Sequence, residues 1–107
     1  MQDIPGLQQV RERRFFEGWD GYVAAEKVTA SEDSIRSLID ALVALGPKGS
    51  KRTVRREVRH CVERFNELDE GWICTIERED IVECLGQIVD LCGMDGSAEW
   101  VDEGRNW

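Results

Sequence analysis

Residues 53–70 read TVRREVRHCVERFNELDE, residues 71–74 read GWIC, and residues 75–93 read TIEREDIVECLGQIVDLCG. Together they spell helix, short connector, helix. In the first segment Val54, Val58, Cys61, Val62, Phe65 and Leu68 recur three and four apart. That spacing gathers side chains on one face of a helix. Arg52, Arg55, Arg56 and Arg59 then fall on the outer face. Thr53 is expected to cap this helix and Gly71 to stop it. In the second segment Ile81, Leu85, Ile88 and Cys92 form the main apolar stripe, flanked by Val82 and Val89. Thr75 opens it, and Glu77, Glu79 and Asp80 place negative charge where the helix dipole favours it. Gly93 sits where a residue just past a helix belongs.

The stretch FNELDEGWICTIEREDI, residues 65–81, resembles an EF-hand helix–loop–helix. With Asp69 as the first loop residue, Ile76 takes the place of that family's short-strand hydrophobe and Asp80 that of its last loop residue. Ile81 follows as the first apolar residue of the exiting helix, and Phe65 and Leu68 match the core positions of the entering one. The chain departs from the family at Gly71, Ile73 and Cys74, the last standing where a glycine is expected. Calcium takes six to eight oxygen ligands, and this loop lacks the carboxylates to supply them. The resemblance therefore implies a helix–loop–helix of similar shape without calcium. The phrase TIEREDI is also similar to short acidic bacterial proteins of no assigned activity, which implies no mechanism.

Working outward, Ser31 is expected to cap a further helix with Glu32 and Asp33 in its first turn. Ile35, Leu38, Ile39, Leu42, Val43 and Leu45 form its apolar face, and Gly46 and Pro47 end it. Residues 46–51, GPKGSK, read as a flexible basic loop. Upstream, Asp3 and Pro5 suit a helix start. Leu7, Val10, Phe15, Trp19, Tyr22 and Val23 keep helical spacing, broken by Gly18 and Gly21, each costing about 1 kcal/mol relative to alanine inside a helix. That pattern predicts, over residues 3–28, a bent or broken first helix, or a helix to about Glu17 followed by a second short one. Residues 94–107, MDGSAEWVDEGRNW, read as a short tail. The expected fold is all-α, a compact bundle of about four helices. A single domain spans residues 1–94, and an acidic tryptophan-containing tail spans residues 95–107.

The formal net charge is −8, unevenly spread. Residues 48–62 hold six basic and one acidic residue, whereas residues 63–107 hold three basic and thirteen acidic ones. The overall sign argues against an anionic membrane surface or a general DNA-coating role. The start, MQDIPGLQQV, lacks the basic-then-apolar pattern of a secretory signal. A cytoplasmic location follows as the expectation, with the four cysteines as reduced thiols.

No residue type in this chain is spaced for catalysis. Cys61 lies beside His60, but neighbours on a helix point about 100° apart and form no nucleophile–base pair. There is no CxxC pair, and Cys61 and Cys92 fall on apolar stripes where cysteine behaves as a small hydrophobe. A zinc site from Cys74, Cys84 and His60 is the weaker alternative to incidental thiols. Glu63/Glu67 and Glu79/Glu83 are four apart, as happens by chance in any acidic helix. No phosphate-binding glycine motif occurs. No catalytic residue, metal or cofactor is expected.

The leading expectation is a non-enzymatic protein-interaction module, such as an inhibitor, an immunity-type protein or an adaptor. Its surface would comprise Glu79, Glu83, Trp100, Asp102, Glu103 and Trp107: the acids steer a basic protein partner, and tryptophan is favoured at binding hot spots. One alternative is a nucleic-acid-binding regulator using Arg52, Arg55, Arg56 and Arg59, against which stands pairing of these arginines with Glu57, Glu63 or the acidic C-terminal helix. Another is a ligand pocket among Phe15, Trp19 and Tyr22, against which stands ordinary core packing. A homodimer is open beside a monomer.

Overall fold

The computed structural model describes Gln9, Arg11 and Glu12, and residues 14–45, 51–69 and 71–92. Among these the chain is all-α, with three α-helices: α1 (Ala25–Leu45), α2 (Lys51–Leu68) and α3 (Thr75–Leu91). A single 3-10 turn, Glu17–Trp19, precedes them. The expected fourth helix is therefore not found among the described residues. Gln9 and Arg11 have α-helical backbone, but the aromatic run from Phe15 to Val23 has no helical backbone beyond that 3-10 turn. Its carbonyl at Trp19 accepts the Tyr22 and Val23 amides at 3.2 and 3.0 Å, and Gly21 turns the chain at φ +96°. Glycine alone adopts that region without strain, so helical spacing of the aromatics yields here to turn chemistry.

Helix α1 begins well before Ser31, correcting the expected cap. The Ala24 carbonyl accepts the Lys27 and Val28 amides at 2.9 and 3.1 Å. The strong helix formers Ala24, Ala25, Glu26 and Lys27 carry the start. Ser31 lies in the middle of the buried face, between Val28 and Ile35. Its hydroxyl makes no hydrogen bond among the described residues. Thr53 is likewise no cap, because α2 already starts at Lys51. At α3 the start at Thr75 is as expected, and the N-cap is Cys74. The Glu77 carboxylate reaches back to the Cys74 amide at 2.9 Å, the reciprocal half of a capping box. The expected stops at Gly46, Pro47 and Gly93, and the helix start at Asp3, lie outside the described residues.

One apolar cluster joins all three helices and the N-terminal turn. Ile35, Leu38, Ile39 and Leu42 come from α1, Val54, Val58, Cys61, Val62 and Phe65 from α2, and Ile81, Leu85, Ile88 and Val89 from α3. Full burial of one such side chain stabilises by roughly 1.5–3 kcal/mol. Helices α1 and α2 make the closest pair. Across it the Cys61 thiol donates to the Ser34 carbonyl at 3.6 Å.

The N-terminal turn completes the core. Phe16 stacks on Trp19 with ring centres 4.0 Å apart, and meets Phe65 of α2 edge-on at 6.4 Å. Trp19 is 1% exposed and meets the Trp72 ring edge-on at 5.8 Å. The backbone amide of Phe16 donates to Glu32 of α1 at 3.1 Å, and the Trp19 indole donates to Asp80 of α3 at 2.8 Å. Two residues of this turn thus touch all three helices. Arg14 reinforces the seat, donating through Nε to both Glu32 oxygens at 2.9 Å and through Nη2 to Asp20 at 3.0 Å.

The connector between α2 and α3 is held by its own polar groups. Asp69 accepts the Gly71 amide at 2.9 Å and the Ile73 amide at 3.4 Å. The Trp72 indole donates to the Leu68 carbonyl at 2.7 Å, and Gly71 sits at φ +94°. No described helix is long and apolar enough to cross a membrane.

Candidate interaction surfaces

The four arginines of α2 lie together. Arg52, Arg55, Arg56 and Arg59 are exposed and, with Thr53, line one open depression of about 580 Å³. Residues at i, i+3, i+4 and i+7 share a helix face, so the row runs about 10 Å along α2. The expected neutralising partners are present only in part. Glu57 lies 3.6 Å from Arg56, and also 3.9 Å from His60. Among the described residues, no ion pair joins Arg52, Arg56 or Arg59 to α3.

The outer face of α3 carries the opposite sign. Glu79 and Glu83 are exposed, one helical turn apart. Neither makes an ion pair among the described residues. Ile76 lies one turn before Glu79 and is 64% exposed, the largest apolar exposure on this helix. The other members of the expected acidic surface, Trp100, Asp102, Glu103 and Trp107, lie outside the described residues.

The three aromatics expected to share a pocket have different surroundings among the described residues. Trp19 is core. Phe15 borders a polar depression with Arg14, Asp80, Glu83 and Gln87. Tyr22 borders a different cleft of about 540 Å³, with Lys27, Trp72, Cys74 and Glu77. In that cleft Tyr22 donates a long hydrogen bond, 3.4 Å, to Glu77. Glu77 is only 5% exposed. Desolvation of the phenol, then the Glu77 charge and hydrogen bond, and then Asp80, hold Tyr22 above the usual tyrosine range.

The thiols are all free. Burial pushes Cys61 up to about 12, and it also raises Cys92. Cys61 is therefore a neutral core group. Cys74 is exposed. Among the described residues no group of three or more His, Cys, Asp or Glu side chains is placed to hold a metal ion. The two acids compared with EF-hand loop ends are committed elsewhere, Asp69 to the connector amides and Asp80 to the Trp19 indole.

No family model, curated protein or solved structure matches this chain. The sequence did not reveal Trp72 and Lys27 as neighbours, nor the structural roles of Glu77 and of Glu32, which binds Arg14 and the Phe16 amide. The Glu77 role had a signal: a glutamate three residues after a cap position. It was masked because the cap is Cys74, a residue type with little capping preference. Trp72 and Lys27 are isolated in sequence, and only the fold brings them to one cleft.

Proposed function

We propose that this protein is a non-enzymatic interaction module that binds a basic protein partner through the outer face of α3, as an inhibitor, immunity-type protein or adaptor does. The observation that carries the reading is that Glu79 and Glu83 stand exposed one turn apart with no ion pair among the described residues. Their charge faces solvent while the row of four arginines lies on α2. Unneutralised charge of one sign steers a partner of the other and sets the salt dependence of encounter. The exposed Ile76 beside them adds apolar area at the edge of the same face. A cytoplasmic setting accords with four free thiols.

The test is capture from lysate at low and moderate salt, comparing wild type with Glu79→Lys/Glu83→Lys. A nuclease-resistant protein partner that is lost with salt and with charge reversal is the expected result. A partner retained equally by the double variant would overturn the assignment of the face.

The α2 row supports a second reading, binding of nucleic acid through its phosphates. Four exposed arginines lining one depression on a single helix face are the observation in its favour. Binding would then fall steeply with salt and be lost in Arg52→Ala/Arg56→Ala. A gel shift absent at low salt would end it.

A further inference from the structure

We propose that the basic partner of the α3 face is a second copy of this chain, with Glu79 and Glu83 of one copy lying against Arg52, Arg56 and Arg59 of the other. This pairing rests on the reading that the outer face of α3 binds a basic protein, and it names that protein.

One chain carries both halves of the contact, and neither half is neutralised within it. Glu79 and Glu83 are exposed, with no ion pair among the described residues. Arg52 and Arg59 are exposed and likewise make none. Arg56 has Glu57 at 3.6 Å, yet its side chain stays 59% exposed. An exposed pair of that length contributes little, so Arg56 remains open to a second carboxylate. Arg55 already has a partner within the chain and stays outside the contact.

The two faces match in spacing. Arg52, Arg56 and Arg59 step by four and then three residues along α2; Glu83, Glu79 and Ile76 step by four and then three in the opposite direction along α3. Four residues rise about 6 Å along a helix, and residues three and four apart share a face. Two helices laid antiparallel therefore set Glu83 opposite Arg52 and Glu79 opposite Arg56 in one register. In that register Ile76, 64% exposed, falls opposite Arg59. An arginine stem covers apolar surface of this kind while its charged head stays in water. Laid parallel, with Glu79 opposite Arg52, the helices would leave Ile76 beyond the start of α2 at Lys51. A foreign partner would need this same pattern of charge and spacing; the chain itself holds it.

The two patches differ, so the contact is heterologous, and association continues past a dimer unless the rotation closes a ring. Exposed charge pairs are individually weak, which makes the contact reversible and dependent on concentration. The net charge of −8 also repels one copy from another. That repulsion reaches about 30 Å at 0.01 M salt and about 8 Å at 0.15 M, whereas near 1 M, at about 3 Å, the pairs themselves are screened. Association is therefore expected to be strongest at intermediate salt.

The test is sedimentation equilibrium of the full chain up to a concentration on the order of 1 mM, at several salt concentrations. A reductant is present because Cys74 is exposed. Wild type is compared with Arg52→Glu/Arg56→Glu, with Glu79→Lys/Glu83→Lys, and with an equimolar mixture of the two variants. All four positions are exposed, so the substitutions leave the core untouched. The mass of wild type is expected to rise with concentration. Each variant presents like charge on both faces, and its self-association is expected to weaken about tenfold or more. The mixture is expected to associate again, because each variant supplies the native face that the other lacks. A wild type that stays monomeric throughout, variants that associate as wild type does, or a mixture that stays monomeric would each overturn the pairing. A monomeric wild type whose lysate partner is still lost on Glu79→Lys/Glu83→Lys overturns the second copy and leaves the α3 face standing. Failure of the face itself reads differently: capture and self-association are then both indifferent to that double variant.

Discussion

The indole N–H of Trp19 donates to Asp80 across 61 residues of sequence, at 2.8 Å. The bond ties the N-terminal turn to the first part of α3, and Trp19 itself is buried against Phe16 and Trp72. An indole buried with no acceptor costs about 1–3 kcal/mol. Asp80→Ala is therefore expected to lower stability by that amount in urea denaturation, whereas Asp80→Asn, which keeps a carbonyl oxygen, costs clearly less. Equal stability of Asp80→Ala and wild type would show that the bond contributes nothing.

Ser31 separates the sequence expectation from the fold. As a helix N-cap, its replacement by alanine would cost about 1 kcal/mol. In the structure it is a buried mid-helix residue whose hydroxyl is unsatisfied among the described residues. Alanine removes a desolvated polar group and improves helix propensity. Ser31→Ala is expected to leave the urea midpoint unchanged or raise it. A clear fall in midpoint would restore the capping role.

Two glycines make a matched pair. Gly71 has φ +94°, whereas Gly18 has no positive φ, and a Cβ at either would meet nothing within 4 Å. Any difference between them is therefore backbone strain rather than collision. Gly71→Ala is expected to destabilise by about 1 kcal/mol, and Gly18→Ala to be neutral or to stabilise by about 0.5 kcal/mol through the unfolded chain. Thermal melts of the two variants would show the contrast. A Gly71→Ala melt at or above wild type would exclude strain at that turn.

Cys61 gives the alkaline behaviour a sign. Its thiol is raised by burial from the ordinary value of 9.0 to about 12. The folded state therefore holds its proton more tightly than the unfolded chain does. The resulting stabilisation is complete below the unfolded value and is lost progressively as pH rises from there towards 12. Urea midpoints measured at neutral pH and near pH 10.5 are expected to fall more in wild type than in Cys61→Ala. The same burial predicts that an alkylating reagent modifies the exposed Cys74 first and Cys61 only on unfolding. Early labelling of Cys61 in native protein would contradict the packing described.

The helix–connector–helix of residues 51–91 was legible because its apolar residues recur at one period and its ends carry charge and turn signals. Arg52, Arg55, Arg56 and Arg59 were readable as an outer face for the same reason, and they do line one depression. The start of α1 was not readable, because Ser31 imitates a cap. Period 3.6 continues through it to Val28, and burial outweighs the local preference of one serine. Helical spacing did not carry over to the run from Phe15 to Val23, which forms a 3-10 turn at Glu17–Trp19 and a further turn at Gly21.

Sequence by itself determined the helical class, the inward faces of α2 and α3, and the gathering of four arginines on one outer face of α2. Each of these depends on periodicity within one element, which neighbouring residues encode. Tertiary structure alone decided that Phe16 and Trp19 bridge three helices, that Glu32 has Arg14 for a partner, and that Tyr22, Lys27, Trp72 and Glu77 share a cleft. Those relationships join residues from separate elements. No local propensity records which distant side chain will fill a given space; that choice is made by the close packing of the whole core.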